Sequence, residues 1–233
     1  MEIITLSILI PLTLSVMRLM LKLLFTILLM GICLSLLAWF FWYKPKLNHN
    51  KPFSTVKSVI VDEAFTSVIR DKASEAKKFV QQRSFNRSIC FLVDIKIESG
   101  KNRFFVYDFK RDSLLNAGLV THGSCNERWL NGRKFGNNPG CGCTSLGRYK
   151  VGSAYTGRFG LAYKLYGLDS SNSNAYNRFI VLHSMNCVPE GEVSPAPICQ
   201  SLGCPTVSPN YLKYLQKLID NSPQPILLWI FNE

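Results

Sequence analysis

The stretch Leu23 to Tyr43, LLFTILLMGICLSLLAWFFWY, runs for 21 residues without a charge. A helix rises about 1.5 Å per residue, so this run spans a hydrocarbon core of roughly 30 Å. Trp39, Trp42 and Tyr43 gather at one end, where aromatic side chains meet a membrane interface, and Lys44 follows. A cleaved signal peptide has a shorter core and small residues at its cleavage site, whereas bulky residues follow this run. The expectation is an uncleaved anchor over 23–43. Ile32, the residue before Cys33, does not suit a lipid-anchor site. Residues 1–22 form a separate N-terminal segment. Within it, Met17-Arg18 opens MRLMLKLLFTILL, a basic start ahead of an apolar core, as expected if translation begins at Met17. Otherwise the first 16 residues make a shorter hydrophobic segment interrupted by Pro11.

From Lys44 onward the composition is that of a soluble globular domain, long enough to bury a core. The formal charge of +12 suits an anionic lipid, an anionic wall polymer or nucleic acid as neighbour. Zinc-finger spacing and basic runs with interleaved aromatics are absent, so no nucleic-acid partner is expected. Of eight cysteines, one lies in the apolar run, leaving an odd number for the domain. At least one is therefore free; the abundance points to an oxidising compartment with some disulfides or, inside a cell, to a metal site, and the sequence alone leaves both open. Cys125, Cys141, Cys143, Cys187 and Cys199 are the disulfide candidates. A Cys187–Cys199 bridge would brace the loop between them. Cys141-Gly142-Cys143 lacks the second pair of a zinc ribbon. Cys90 sits in an apolar run and reads as core.

Residues 44–56, KPKLNHNKPFSTV, read as a linker. Ala64, Val68, Ala76, Phe79 and Val80 give residues 57–82 one apolar helical face, and this helix is expected to stand the domain off the membrane. Linker and helix together occupy 44–83, and the main domain 84–233. From residue 88 the period changes. ICFLVDIKI (89–97) and RFFVYDF (103–109) read as a hairpin, and LVTH (119–122) as a short strand. A glycine- and asparagine-rich loop covers 131–143. RYKVG (148–152), LAYKLYGL (161–168), RFIVLH (178–183) and ILLWIF (226–231) complete the strands. Ser208-Pro209 is an N-cap and first-turn pair opening a helix whose apolar face is Leu212, Leu215 and Ile219. The fold expected is mainly β with a few helices, a sandwich or partly closed barrel behind an N-terminal transmembrane helix.

Three features converge on chemistry. His183 ends a strand, the turn QSLGCPTV (200–207) holds Ser201, Gly203 and Cys204, and His122 ends another strand. Cysteine–histidine catalysis needs a thiol and a base within hydrogen-bond reach. Gly203 lets backbone approach a substrate carbonyl, and the N–H groups of Gly203 and Cys204 are candidate oxyanion donors. Spacing alone leaves Cys204 open as nucleophile, half of a disulfide, metal ligand or buried small residue.

His183 followed, after 17 residues, by Ser201-Leu202-Gly203-Cys204 resembles the signature of the L,D-transpeptidase catalytic domain family. Gly-Cys-Pro resembles its murein L,D-transpeptidase subgroup. Further blocks resemble it in order: CFLVDIKIESGKNRFFVYDF, VTHGS, FGNNPGCGCTSLGRYKVG, YTGRFGLAYKLYGLD and NRFIVLHS. The resemblance implies a mainly β catalytic domain with Cys204 as nucleophile, His183 as base, Ser201 as an orienting group and Gly203 at the oxyanion hole. It implies a substrate groove lined by His122, Ser145, Tyr155, Gly157 and Arg178. The implied reaction is attack on the stem peptide of peptidoglycan at the L-centre of diaminopimelate. D-alanine leaves, a thioester forms, and an amine of a second stem takes the acyl group; with water as acceptor the enzyme is a carboxypeptidase. A non-catalytic wall-binding envelope protein is the alternative of another class. No metal or nucleotide cofactor is implied. The chain departs from the commoner family form in having Leu202 in place of a second histidine and Thr206 in place of Arg or Asn. The implied location is the bacterial envelope, anchored in the inner membrane with a periplasmic domain. Basic residues counted alone (Arg18 and Lys22 before the run, Lys44, Lys46 and Lys51 after it) favour the opposite orientation.

Overall fold

The computed structural model describes residues 3–39 and 63–233. The expected linker 44–56 and the last residues of the expected anchor lie outside them. The chain divides into two compact units, 1–51 and 52–233.

In the first unit a single helix, α1 (Ile3–Ala38), continues through Pro11. Its Met17–Ala38 portion is long and apolar enough to cross a membrane.

In the second unit, α2 (Glu63–Gln81) precedes a mixed sheet of eight strands. These are β1 (Ile89–Asp94), β2 (Phe104–Asp108), β3 (Ser113–Gly118), β4 (Gly147–Gly157), β5 (Gly160–Gly167), β6 (Val181–Ser184), β7 (Thr206–Val207) and β8 (Leu227–Phe231). Helix α3 (Pro209–Asp220) lies between β7 and β8. The sheet order is β3-β2-β1-β8-β4-β5-β6-β7.

Central strands are buried on both sides, which is why their sequences read as continuous apolar runs rather than alternating ones. Phe91, Val93, Phe104, Val106, Leu228 and Ile230 enter one core with Tyr211, Leu212 and Leu215 of α3. Cys90, Leu92, Phe105, Tyr107, Leu227 and Phe231 enter the opposite core with Ile69, Ala73, Ala76 and Val80 of α2. Helix α2 is thus a layer of the folded unit. Lys72, on α2, reaches Glu233 at 2.7 Å and lies over the Trp229 ring. Ser208 caps α3 as expected, its side chain accepting from the Tyr211 N–H, with Pro209 in the first turn. Gly118 lets α3 come close: a Cβ there would lie 2.7 Å from the Tyr211 ring.

The sheet partly closes on itself. Residues 119–124, which continue from β3, run beside the segment leading into β7. Thr121 N–H donates to the Thr206 carbonyl, Ser201 N–H to that of His122 and Ser124 N–H to that of Ser201, each at 2.9 Å. The edge of β7 is thereby covered. The sequence reading places neither β3 nor β7, and it differs at two segments near the closure. LVTH makes these closing contacts instead of a regular strand, and the strand expected over 178–183 is β6, at 181–184. Phe179 adopts φ +55°, so Arg178 and Phe179 form a turn before β6.

Candidate active site

Strands β6 and β7 are parallel, with His183 opposite Thr206. The connection between them ends in the turn Ser201–Pro205, so His183 and Thr206, 23 residues apart in the chain, arrive side by side. That connection is braced by a Cys187–Cys199 disulfide, the expected bridge, and by packing among Leu119, Val188 and Ile198. A second disulfide joins Cys125 to Cys143, while Cys141 is free.

The turn is tied at its carbonyl. The Cys204 C=O accepts from Ser201 Oγ at 2.7 Å and Thr121 Oγ1 at 3.2 Å, with Thr206 Oγ1 3.3 Å away. Ser201 Oγ also accepts the Gly203 N–H at 3.1 Å. That N–H, expected as an oxyanion donor, is therefore turned inward. The Cys204 N–H has no hydrogen-bond partner among the described residues. Gly203 serves by its conformation: φ is +107°, and a Cβ would lie 2.5 Å from the Cys143 carbonyl oxygen and 3.1 Å from Arg178 Nη2.

The Cys204 thiol is half-buried and donates to the Phe179 carbonyl at 3.7 Å. Burial pushes its pKa above the ordinary thiol value, against the opposing pull of the Val181 N–H and the Arg178 charge. His183 is buried, and burial lowers its pKa, partly opposed by the Ser184 carbonyl. That carbonyl lies 3.1 Å from Nδ1 and can only accept, so Nδ1 carries the proton and Nε2 is the basic nitrogen. Nε2 faces Thr206 Oγ1 at 3.1 Å. Phe159, at the β4–β5 hairpin, stacks on the His183 ring with centroids 4.7 Å apart. Cys204 thus rests as a neutral thiol and His183 as a neutral imidazole.

Among the expected groove residues, Arg178 and Ser145 join the turn's surroundings. Arg178 donates to Ser145 Oγ, to the Cys143 carbonyl and, at 2.9 Å, to the Gly136 carbonyl. Ser145 is buried. Tyr155 lies in register with His183 through Ala162 across β4, β5 and β6, and Gly157 packs under its ring. His122 is the exception. Its carbonyl binds the Ser201 N–H, but its ring faces Arg103 and Gln200 in a different cavity. Thr121, Phe159 and Phe179 escaped the sequence reading. The only hint of them was the position of Phe159 in the Tyr-Thr-Gly-Arg-Phe-Gly turn.

Residues 62–229 match the L,D-transpeptidase catalytic domain. The chain belongs to this family. The solved structures it resembles include the helical cell shape determining protein Pgp2 from Campylobacter jejuni, at 13% identity over 63% of this chain and 48% of that one, TM-score 0.37. They also include residues 123–326 of an L,D-transpeptidase from Xylanimonas cellulosilytica, at 12% identity over 68% and 69%, TM-score 0.36. An L,D-transpeptidase from Mycobacterium smegmatis aligns at 11% identity over 61% and 58%, TM-score 0.34. The chain spans about half the length of the Campylobacter protein. No curated protein matches the sequence. Family membership agrees with the resemblance read from His183 and Ser201-Leu202-Gly203-Cys204.

Proposed function

We propose that the protein is a cysteine-dependent enzyme of peptidoglycan, an L,D-transpeptidase with Cys204 as nucleophile and His183 as base. The observation that carries the reading is the parallel β6–β7 pair, which sets His183 beside the turn bearing Cys204 in a chain of this family. The proposed domain plan is an N-terminal segment over 1–22, an anchor over 23–43, a linker and helix over 44–83, and the catalytic domain over 84–233. The apolar helix supports a membrane anchor, and with the family it supports a location in the bacterial envelope.

In the proposed reaction His183 Nε2 leaves Thr206 Oγ1 and takes the thiol proton as sulfur bonds to the stem-peptide carbonyl carbon. The developing oxyanion is met by the Cys204 N–H. The C–N bond to D-alanine then breaks, and the proton passes from His183 to the leaving amine. An acceptor amine attacks the thioester, an amide forms and the thiol is regenerated. Ser201 holds the turn through Gly203 and the Cys204 carbonyl. Arg178, Ser145, Tyr155 and Gly157 are the proposed lining of the stem-peptide groove. Hydrolysis uses the same site with water as acceptor, and Thr206 in place of the family's Arg or Asn leaves that branch open to selection by the acceptor.

The test is mass spectrometry of the full chain in detergent with tetrapeptide stem fragments, beside Cys204→Ala. Crosslinked dimers absent from the variant establish transfer; free D-alanine alone establishes hydrolysis. No acyl adduct on folded wild-type protein would leave a wall-binding role.

A further inference from the structure

The cavity that takes the His122 ring measures 310 Å³ and lies apart from the Cys204 thiol's own contacts. Its hydrogen bonds do not close. Arg103 Nη2 lies 3.1 Å from His122 Nδ1, and a guanidinium can only donate, so Nδ1 is the bare acceptor. A neutral ring then carries its proton on Nε2. Burial, reinforced by the charges of Arg103 and Arg133, lowers the His122 pKa to about 4, which keeps the ring neutral near pH 7. Nε2 faces Gln200 Nε2 at 3.4 Å. The Gln200 amide cannot be turned to offer its oxygen, because Leu130 fixes both ends. The Leu130 N–H donates to Gln200 Oε1 and the Leu130 carbonyl accepts from Gln200 Nε2, each at 2.9 Å. Two N–H donors therefore meet with no acceptor between them.

Two guanidiniums, Arg103 and Arg133, line the cavity, and the buried Asp94 carboxylate interacts with the charge of each. Arg103 is fully buried, with its donors on the Val120 and Ile97 carbonyls and on His122. Arg133 lines the same cavity and donates to the Ile95 and Lys96 carbonyls. Neither has a carboxylate within ion-pair distance among the described residues. Glu98, also on the wall, is drawn to Lys101 at 3.5 Å and to Ser194 Oγ at 3.1 Å. Trp129 adds a half-exposed aromatic face to the lining.

We propose that this cavity is a carboxylate-binding site. One carboxylate oxygen accepts from His122 Nε2–H and Gln200 Nε2–H, with the Arg133 guanidinium supplying the counter-charge. The carboxylate comes either from a peptide C-terminus or from a free small acid. The site does not depend on the acyl-transfer reading, since none of its donors serves there. Gln200 and the His122 carbonyl adjoin Ser201, so an occupant would sit one residue from the catalytic turn.

The chain has three histidines, His49, His122 and His183, so selective ¹⁵N-histidine labelling of the full chain in detergent isolates the reporter. His49→Gln and His183→Asn assign the signals. Titration uses acetate, N-acetyl-D-alanine and N-acetyl-D-alaninamide. His122 is expected as the Nε2–H tautomer, with its Nε2–H signal moving on addition of a carboxylate and staying still with the amide. Movement with both acids identifies a general carboxylate site, and movement with N-acetyl-D-alanine alone a peptide C-terminus. Arg133→Gln should weaken binding about tenfold, the loss of one charge-assisted contact. A His122 ring found as the Nδ1–H tautomer, no shift with either acid, or equal shifts with the amide would overturn the proposal. Because the readout is binding at His122, an inactive Cys204 does not affect it.

Discussion

Replacing Gly203 by alanine tests how the turn is built. The new Cβ would lie 2.5 Å from the Cys143 carbonyl oxygen, so the two must part by about 0.5 Å to reach the 3.0 Å that real Cβ contacts observe. Neither side gives easily. Cys143 is bonded to Cys125 and its carbonyl is held by Arg178, while the Gly203 N–H is held by Ser201. A non-glycine residue at φ +107° adds about 1–3 kcal/mol of backbone strain. Crowding of about 1 kcal/mol or more brings the sum to about 3 kcal/mol. At about 2–4 °C per kcal/mol for a unit of this size, melting should fall by about 6–12 °C. A misplacement of 1 Å in a reacting group costs about a hundredfold in rate, so half that displacement at Cys204 should cost about tenfold in kcat. The assay is thermal unfolding by near-ultraviolet circular dichroism, paired with D-alanine release from a tetrapeptide stem. A melting point within about 1 °C of wild type and an unchanged kcat/KM would refute the account of the turn.

Alkylation of Cys204 by iodoacetamide, in a Cys33→Ser, Cys141→Ser background, should rise with a midpoint above the ordinary thiol value of about 8.5; a midpoint below it would mean a resting ion pair. Because burial lowers the His183 pKa, the acid limb of kcat/KM in the free enzyme should fall below the ordinary histidine value of about 6.5. Burial pushes the Asp169 carboxyl up, but the Arg148 side chain, N–H and charge together hold it below its ordinary value. Its contribution is then present above the unfolded carboxyl value of about 3.9 and is lost as pH falls through the lower folded value. Asp169→Asn should cost about 1–2 kcal/mol at pH 7 in urea unfolding and little at pH 2, whereas a constant cost would contradict the ion-pair account. Cys187→Ser with Cys199→Ser opens a loop of sequence separation 12 and should lower stability by about 2–3 kcal/mol, read from the urea midpoint.

What the sequence made legible was whatever its local pattern controls. Ile89 to Val93 is apolar on every residue because both faces of β1 are buried, and Ser208-Pro209 marks the start of α3 because capping is a local interaction. The spacing from His183 to Cys204 identified the family without any geometry. The two-residue strand β7 was not legible, since its partners lie on β6 and in the segment after β3. Arg178 and Phe179 read as strand by composition. Tertiary bonds from Arg178 to Gly136, Cys143 and Ser145 accompany their departure from it. The direction of the His122 ring depends on Arg103, a residue 19 positions away whose burial no local pattern signals.

The closure of the sheet beside β7 bears on the order in which the protein folds. Thr121 and Cys204 are 83 residues apart in sequence, yet the Thr121 hydroxyl donates to the Cys204 carbonyl. The β1–β2 and β4–β5 hairpins require only short loops to close, whereas this contact must wait for most of the chain between to find its place. The candidate site is therefore assembled late, from two distant segments. In refolding, backbone circular dichroism should return before any acyl-transfer competence, and segments 119–124 and 201–207 should gain amide protection together.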